Sequence, residues 1–557
     1  MEGIYERFKG LSRRKFLAMT GAAAMSLPLV ASGNANADDK QQPVDGGLKM
    51  NDYQLPTGEP YGLAGKKLVF TNWLFIRPGQ FAWIDENGKN VTVTGNSGPM
   101  DARMIRSEFP YGIRLRAEKA DHIGPIFKVE EPWEEKNFSL QTILQDGGKY
   151  RAWGGGAYYE SRDGMNWDRP KLGIKEINGN KSNNHLDFDV GGGTVFIDPS
   201  APDAERYKWV GGAGIEESEF ESWKKKHPDR WEPRAHRKDV KHIYGIGGAV
   251  SPDGLHWTRI PEPFVIEHSD THITGYYDVL LKKYVIYTRS YMIAPISANY
   301  HDDSFRMWWD VGRRSIGRTE SSDFKEFPVS SVILSPTPDM PPYDLLYTNC
   351  RTSIPGAPDH HLMFPAVWHA AMDDTTSHLI ASSHDGRVWN YIPEGPVFKT
   401  AAFGEWDGGC QFALPNLIEL PNGDFALPYN SYNVPHKYPR GQWQLNVGYA
   451  VWTKGRIVAL EAPERGEFST VAFMPPGRKL KINAVTARGG SIQVEVTDMS
   501  RNIFAGRSFA DCAPIIGDQF QKTITWKGSD DLSFKNGEAI ALRFKLDRAS
   551  IYGLEFE

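Results

Sequence analysis

The sequence predicts an all-β chain: a five-bladed β-propeller followed by a C-terminal β-sandwich. Three observations carry this. First, a seven-residue string recurs as Ser161-Arg162-Asp163-Gly164-Met165-Asn166-Trp167, Ser251-Pro252-Asp253-Gly254-Leu255-His256-Trp257 and Ser383-His384-Asp385-Gly386-Arg387-Val388-Trp389, with a degenerate copy at Ser321-Ser322-Asp323-Phe324. In S-x-D-G-x-x-W, Asp-Gly supplies a turn with positive φ at Gly, and the Ser and Asp side chains bond back to the turn backbone. The Trp ring can fold over the turn as a plug. Repetition late in successive blocks of strands marks a sheet module. Second, the composition is 12% aromatic with 55 Gly and 37 Pro and lacks long amphipathic helical runs, which suits short strands joined by tight turns. Third, the texture changes after Glu461 to clean apolar/polar alternation.

Residues 1–37 read as a twin-arginine (Tat-type) signal peptide. Ser12-Arg13-Arg14-Lys15-Phe16-Leu17 precedes an apolar run from Ala18 to Val30, and Ala35-Asn36-Ala37 offers a small-residue cleavage site. The expected location is periplasmic or secreted, with no membrane attachment after cleavage. Residues 38–125 form an N-terminal arm with strands at 66–70 and 111–116, expected to pack on the next domain or help close its ring.

The propeller is assigned to 126–462. Module one has strands near 138–144, 150–153 and 157–160 before its turn; module two near 193–198, 206–210 and 244–250, with an insertion at 215–241 read as a rim loop or short helix. Module three has strands near 273–278, 284–289 and 314–318, and module four near 344–348, 361–366 and 378–382. Module five has 411–418, 424–429 and 447–452, ending with 456–460 as its fourth strand. Residues 463–557 alternate at 479–485, 491–496, 523–526 and 540–546, as a β-sandwich does.

Cys350, Cys410 and Cys512 are an odd, widely spaced set that matches neither a disulfide framework nor a zinc motif. A formal net charge of −5 without a basic block beyond the N-terminus argues against a nucleic-acid partner. There is no G-x-S-x-G elbow, P-loop or dinucleotide fingerprint.

In a propeller each innermost strand runs along the central channel, and every module has an acid near the start of that strand. The candidates are Glu134 (or Glu135), Asp187 (or Asp189), Asp270, Asp344 and Asp407. Clustered carboxylates either bind a cation, such as calcium, or do acid/base work. No cofactor is predicted. Paired carboxylates match glycoside hydrolysis, one protonating the leaving oxygen and the other acting as nucleophile or activating water. Trp133, Tyr276, Tyr277, Tyr347, Trp368 and Trp406 could stack on sugar faces, His272 and His369 could orient substrate or bind a channel ion, and Arg151 and Arg289 could bind substrate.

Pro132-Trp133-Glu134, Tyr159-Glu160-Ser161-Arg162-Asp163-Gly164, Ser269-Asp270-Thr271, Gly317-Arg318-Thr319-Glu320-Ser321 and Leu362-Met363-Phe364-Pro365 resemble bacterial secreted five-bladed-propeller proteins. These are distant relatives of the invertase-like and arabinanase-like glycoside hydrolases. The tail, from Asp511-Cys512 through Gly517-Asp518 and Thr525-Trp526-Lys527-Gly528 to Leu542-Arg543-Phe544, resembles the sandwich appended to them. The resemblance implies a fold over about residues 110 to 557. The N-D-P-N-G, R-D-P and E-C segments of the invertase-like families are absent, so no catalytic role transfers by motif. The expectation is an exported glycoside hydrolase, exo-acting on a plant or algal poly- or oligosaccharide, of undetermined oligomeric state. A sialidase-like hydrolase drawing on Arg289, Arg313, Arg314, Arg318 and Arg351, and a non-catalytic carbohydrate-binding propeller, remain as alternatives.

Overall fold

The repeated turn organises the fold. In the computed structural model, Ser161 Oγ accepts from Gly164 N at 2.8 Å, and Asp163 Oδ1 accepts from Met165 N and Asn166 N at 2.8 Å. The copies at 251–257 and 383–389 repeat these bonds within 0.1 Å. Trp257 and Trp389 cap their turns, donating to Gly254 O at 3.0 Å and Gly386 O at 3.1 Å. Trp167 instead stacks on Phe127, centroids 5.0 Å apart. The structure describes residues 59–557 except 88, 90–102, 135–136, 233–234, 236–241, 293–311 and 440–441. The segment read as a signal peptide, the start of the arm and Glu135 therefore lie outside the described residues.

The described residues are almost all β, the one α-helix among them being Glu217–Lys226 in the 215–241 insertion. Five antiparallel sheets follow in chain order. Sheet 1 has strands Leu140–Asp146, Lys149–Gly154 and Ala157–Ser161, extended by a bridge from Glu160 to Asp168. Sheet 2 has Thr194–Ile197, Tyr207–Glu216, His242–Ser251 and Thr258–Arg259; sheet 3 has Thr274–Asp278, Lys283–Met292, Arg313–Ser321 and Ser331–Leu334. Sheet 4 is two four-stranded ladders end to end, Asp344–Thr348 continuing into Arg351–Ile354 past Cys350, whose φ is 45°. Sheet 5 has Cys410–Ala413 and Ile418–Glu419 against Phe425–Tyr432, then Leu445–Trp452.

The fourth strand of sheet 5 corrects the sequence reading. It is Asp121–Ile123, pairing antiparallel to Leu445–Trp452, so the edge of the last sheet is covered from the N-terminal side. The segment read as that strand, 456–460, instead opens Val458–Ser469, which joins the C-terminal sheet, and a boundary after 462 would cut it. The arm also divides: Arg114–Ala117 pairs with Val458–Ser469, and Lys67–Leu68 with Ala541–Phe556.

Each first strand touches the neighbouring sheet in sequence, and the series returns to the start. Thr142 Oγ1 (sheet 1) accepts from Val195 N (sheet 2) at 3.0 Å, and Thr194 Oγ1 donates to Ile273 O at 2.6 Å. Asn349 Nδ2 donates to His272 O at 3.4 Å, Gln411 N to Thr376 Oγ1 at 2.7 Å, and Asn430 of sheet 5 exchanges two bonds with the Leu140 backbone of sheet 1. Where these strands end, Leu144, Ile197, Asp278, Ser353 and neighbouring Asn416 line one cavity of about 210 Å³. The turns are stapled to the preceding sheet: Tyr449 donates to Gly164 O at 2.8 Å, Trp153 to Gly254 O at 2.8 Å, and Tyr287 to Gly386 O at 2.5 Å. At the turn without Gly and Trp, Phe324 lies under the buried Lys208 of sheet 2, 5.1 Å from Nζ to ring.

The C-terminal strands Leu480–Thr497, Asp518–Thr523 and Ala541–Phe556 join Val458–Ser469 in one hydrogen-bonded sheet, with long strands that bulge near 462–465 and 486–491. Alternation buries Leu480, Ile482 and Ala484, then Ile492, Val494 and Val496. Their core is continuous with Leu362, Phe398 and Leu427 of sheets 4 and 5, so this sheet braces the repeated modules.

Candidate active site

Each first strand begins at the same end of its sheet, which is also where second strands finish and third strands start. The turns lie at the opposite end. The helix Glu217–Lys226 joins the second to the third strand of sheet 2 and therefore belongs to the site end.

The five predicted acids do not form one ring. Asp270, just ahead of Thr274–Asp278, is 46% exposed and ion-paired with Arg289 Nη1 of the second strand. Asp187 is exposed and makes no hydrogen bond or ion pair among the described residues. Asp344 opens the first strand of sheet 4 and lies 2.9 Å from His369 Nδ1, its cross-strand partner. Asp407 is 2% exposed and accepts from His122 Nδ1 and Gln411 Nε2 at 2.8 Å and from the Tyr429 hydroxyl at 2.9 Å. Burial works to raise its carboxyl, but these bonds and the His122 charge outweigh it and hold the group below the usual carboxylate range. Glu134 sits beside the third strand of sheet 1, accepting from Arg169 Nε at 2.8 Å, Tyr159 OH at 3.3 Å and two backbone N–H groups. Burial opposes and the Arg169 bond leads the lowering of its pKa. Glu134 and Asp407 are thus structural acceptors, buried because an acid ahead of an inner strand also serves to tie loops down.

The other predicted residues divide in the same way. Arg151 donates to Asp253 O at 3.1 Å and joins sheets 1 and 2. Trp133 donates to Asn184 Oδ1 at 2.9 Å. Trp406 stacks on Tyr429 and fills the space that Gly124 and Gly448 leave open. His272 Nε2 lies 3.3 Å from Thr194 Oγ1, and burial pushes its pKa down to about 4, leaving a neutral ring between sheets 2 and 3.

Around Arg289 the residues converge. Arg289 Nη2 lies 3.1–3.2 Å from the ring nitrogens of His268, and its guanidinium is 5.6 Å from the Tyr291 ring. Opposite Tyr291 in register is Arg314, which donates to Tyr347 O at 2.7 Å and lies 3.7 Å from the Tyr347 ring centroid. Burial, then the Arg289 charge, lower the Arg314 pKa, and its buried Nε has no hydrogen-bond partner among the described residues. Tyr347 leads to an aromatic group at sheets 4 and 5: Trp368 at 5.7 Å, Phe412 at 4.9 Å and His436 at 4.7 Å. Trp368 and Tyr347 are half-buried and Trp368 Nε1 is anchored on Asp374 Oδ1 at 2.8 Å.

Sequence reasoning missed Glu267 and Glu232 behind this group. Glu267 accepts from Thr288 Oγ1 at 2.9 Å and Ser330 N at 2.8 Å, and burial, then Glu232, push its pKa up to about 7. No motif marks either residue; the bridge of Trp231 to Ile266 and the bond from Glu232 N to Ile266 O, 3.0 Å, bring them near one another. Of the arginines weighed for an anionic sugar, Arg289 and Arg314 come together. Arg313 donates to the Pro341 and Asp344 carbonyls, Arg318 to Glu320 at 2.6 Å, and Arg351 lies over Tyr276 at the opposite end. Among the described residues no three His, Cys, Asp or Glu side chains are placed to hold a metal ion.

No protein-family model matches the chain, and no curated protein matches it. Solved structures similar to it include a thermostable family-43 glycoside hydrolase (11% identity, TM-score 0.34, covering 56% of this chain and 89% of that one). A Bombyx mori GH32 β-fructofuranosidase shares 8% identity at TM-score 0.31, covering 76% of this chain and 95% of that one. An N-acetylgalactosamine deacetylase from F. plautii in complex with blood group B trisaccharide shares 9% identity at TM-score 0.34, over 62% and 96%.

Proposed function

We propose that the five sheets are the blades of a β-propeller, that the C-terminal sheet folds as its bracing sandwich, and that the protein is an exported, exo-acting glycoside hydrolase. The observation that carries the functional reading is the convergence of a solvent-reaching carboxylate, Asp270, with Arg289, Arg314, Tyr347 and Trp368 at the end where first strands begin. Aromatic faces suit sugar rings, and a carboxylate beside fixed donors suits glycosidic cleavage. Asp270 and Asp187 are the pair assigned to the chemistry, because they alone of the five predicted acids are exposed. The bonds that tie sheets 2, 3 and 4 together through Thr194, His272 and Asn349 support a narrow channel and hence attack at chain ends. Two guanidiniums at the mouth favour a terminal sugar carrying a carboxylate or sulfate. Export rests on the twin-arginine segment at 12–17.

The test is a product screen of the mature protein on neutral and acidic plant and algal oligosaccharides. Monosaccharide release, with kcat lowered about 10²-fold or more by Asp270→Asn and Asp187→Asn, is expected. Glycan binding without release from any substrate would replace the enzyme by a carbohydrate-binding propeller.

A further inference from the structure

Three neighbouring strands of sheet 4 bring together an acid, an imidazole and a hydroxyl. Asp344 Oδ1 lies 2.9 Å from His369 Nδ1, and His369 Nε2 lies 2.9 Å from Ser377 Oγ. Register explains the meeting. Asp344 is opposite His369, and Ser377 is opposite Val367, two residues from His369, so period-two alternation puts all three on one face. The Asp344 side chain is 9% exposed and His369 28%, while Ser377 is 7% exposed, so the imidazole is the most open of the three. A carboxylate on Nδ1 fixes the tautomer that leaves the Nε2 lone pair facing the hydroxyl. Arg313 Nη2 donates to Asp344 O at 3.0 Å, while its buried Nε has no partner among the described residues, an unspent donor beside the group.

We propose that Ser377, His369 and Asp344 are a nucleophilic triad that hydrolyses small acyl esters. Ser377 Oγ attacks the ester carbonyl carbon as its proton passes to His369 Nε2. The acyl C–O bond breaks, and His369 returns that proton to the leaving alkoxide. Water, deprotonated by His369, then attacks the acyl-serine, releasing the carboxylic acid and restoring Ser377. Ser377 is the nucleophile and His369 the base and acid; Asp344 is a positioning residue. Ser377 sits within strand Thr376–His378 rather than on a strand-to-helix turn, which is why no elbow motif announces it. That the acyl group decorates a carbohydrate rests on the function proposed above; the triad itself does not.

The experiment measures p-nitrophenyl acetate hydrolysis by the full chain and locates a fluorophosphonate label by peptide mass spectrometry. Hydrolysis above buffer and label on Ser377 are expected, with kcat/KM falling at least 10²-fold in Ser377→Ala and His369→Asn. Asp344→Asn lowers kcat with KM unchanged. Ser377→Ala retains monosaccharide release and Asp270→Asn retains ester hydrolysis, which separates this site from the glycosidic one. Absence of ester hydrolysis, label on another residue, or an undiminished rate in folded Ser377→Ala overturns the proposal.

Discussion

Asp407→Ala separates a structural carboxylate from a catalytic one. Its carboxylate is 2% exposed and accepts from His122, Tyr429 and Gln411 at 2.8–2.9 Å. Truncation leaves a buried hydroxyl, amide and imidazole without their shared acceptor, and breaking a buried charged group of this kind costs about 3–5 kcal/mol. For a cooperative unit of about 500 residues, that lowers Tm by roughly 3–5 °C. The pH dependence has a definite sign. The folded pKa lies below the unfolded one, so this stabilisation is full above the unfolded carboxylate range near ~4. It is lost as pH falls through the folded value, and Asp407→Asn removes that share of the acid sensitivity. Thermal denaturation between pH 3 and 7, beside activity per mole of folded protein, makes the comparison. An unchanged Tm with activity abolished would refute the structural assignment and return Asp407 to the catalytic group.

Further predictions follow from the same contacts. Gly254→Ala combines a φ of +79° with a Cβ only 2.8 Å from the Trp153 ring, whereas Gly147→Ala has a φ of +59° and open space. Urea denaturation is expected to show roughly 1–2 kcal/mol lost at Gly147 and a further ~1–3 kcal/mol at Gly254. Glu267, with its pKa raised to about 7, holds a proton in the fold that the unfolded chain releases earlier, so stability declines as pH rises from about 4.5 through 7. Glu267→Gln should flatten that decline, by an amount on the order of 3 kcal/mol above pH 7. Arg314→Met should raise KM for an acidic oligosaccharide more than for a neutral one, and equal effects would count against an anionic terminal sugar.

The fold was legible where interactions are local. Ser251, Asp253 and Gly254 satisfy each other within four residues, so the string declares its own geometry wherever it occurs. Asp121–Ile123 escaped because three exposed residues carry no pattern, and only the open edge of Leu445–Trp452 gives them a strand's role. Residues 456–460 alternate as any strand does, and nothing local says which sheet they join. In the site, Asp270 is named from its position and Arg289 and Trp368 from their chemistry, and all three lie at one end, the first two in direct contact. Glu134 and Asp407 were named by the same rule and are consumed by Arg169 and His122, partners 35 and 285 residues away. Ser377 and Glu267 were invisible because their significance lies in cross-strand neighbours.

The proposed glycosidic chemistry sits where first strands begin and not at the end where they finish. The most direct measurement is monosaccharide release by Asp270→Asn beside Ser353→Leu, which fills the cavity of about 210 Å³ at that other end. A loss of about 10²-fold or more is expected for Asp270→Asn and a near-normal rate for Ser353→Leu. A normal rate for Asp270→Asn with release abolished by folded Ser353→Leu would contradict it.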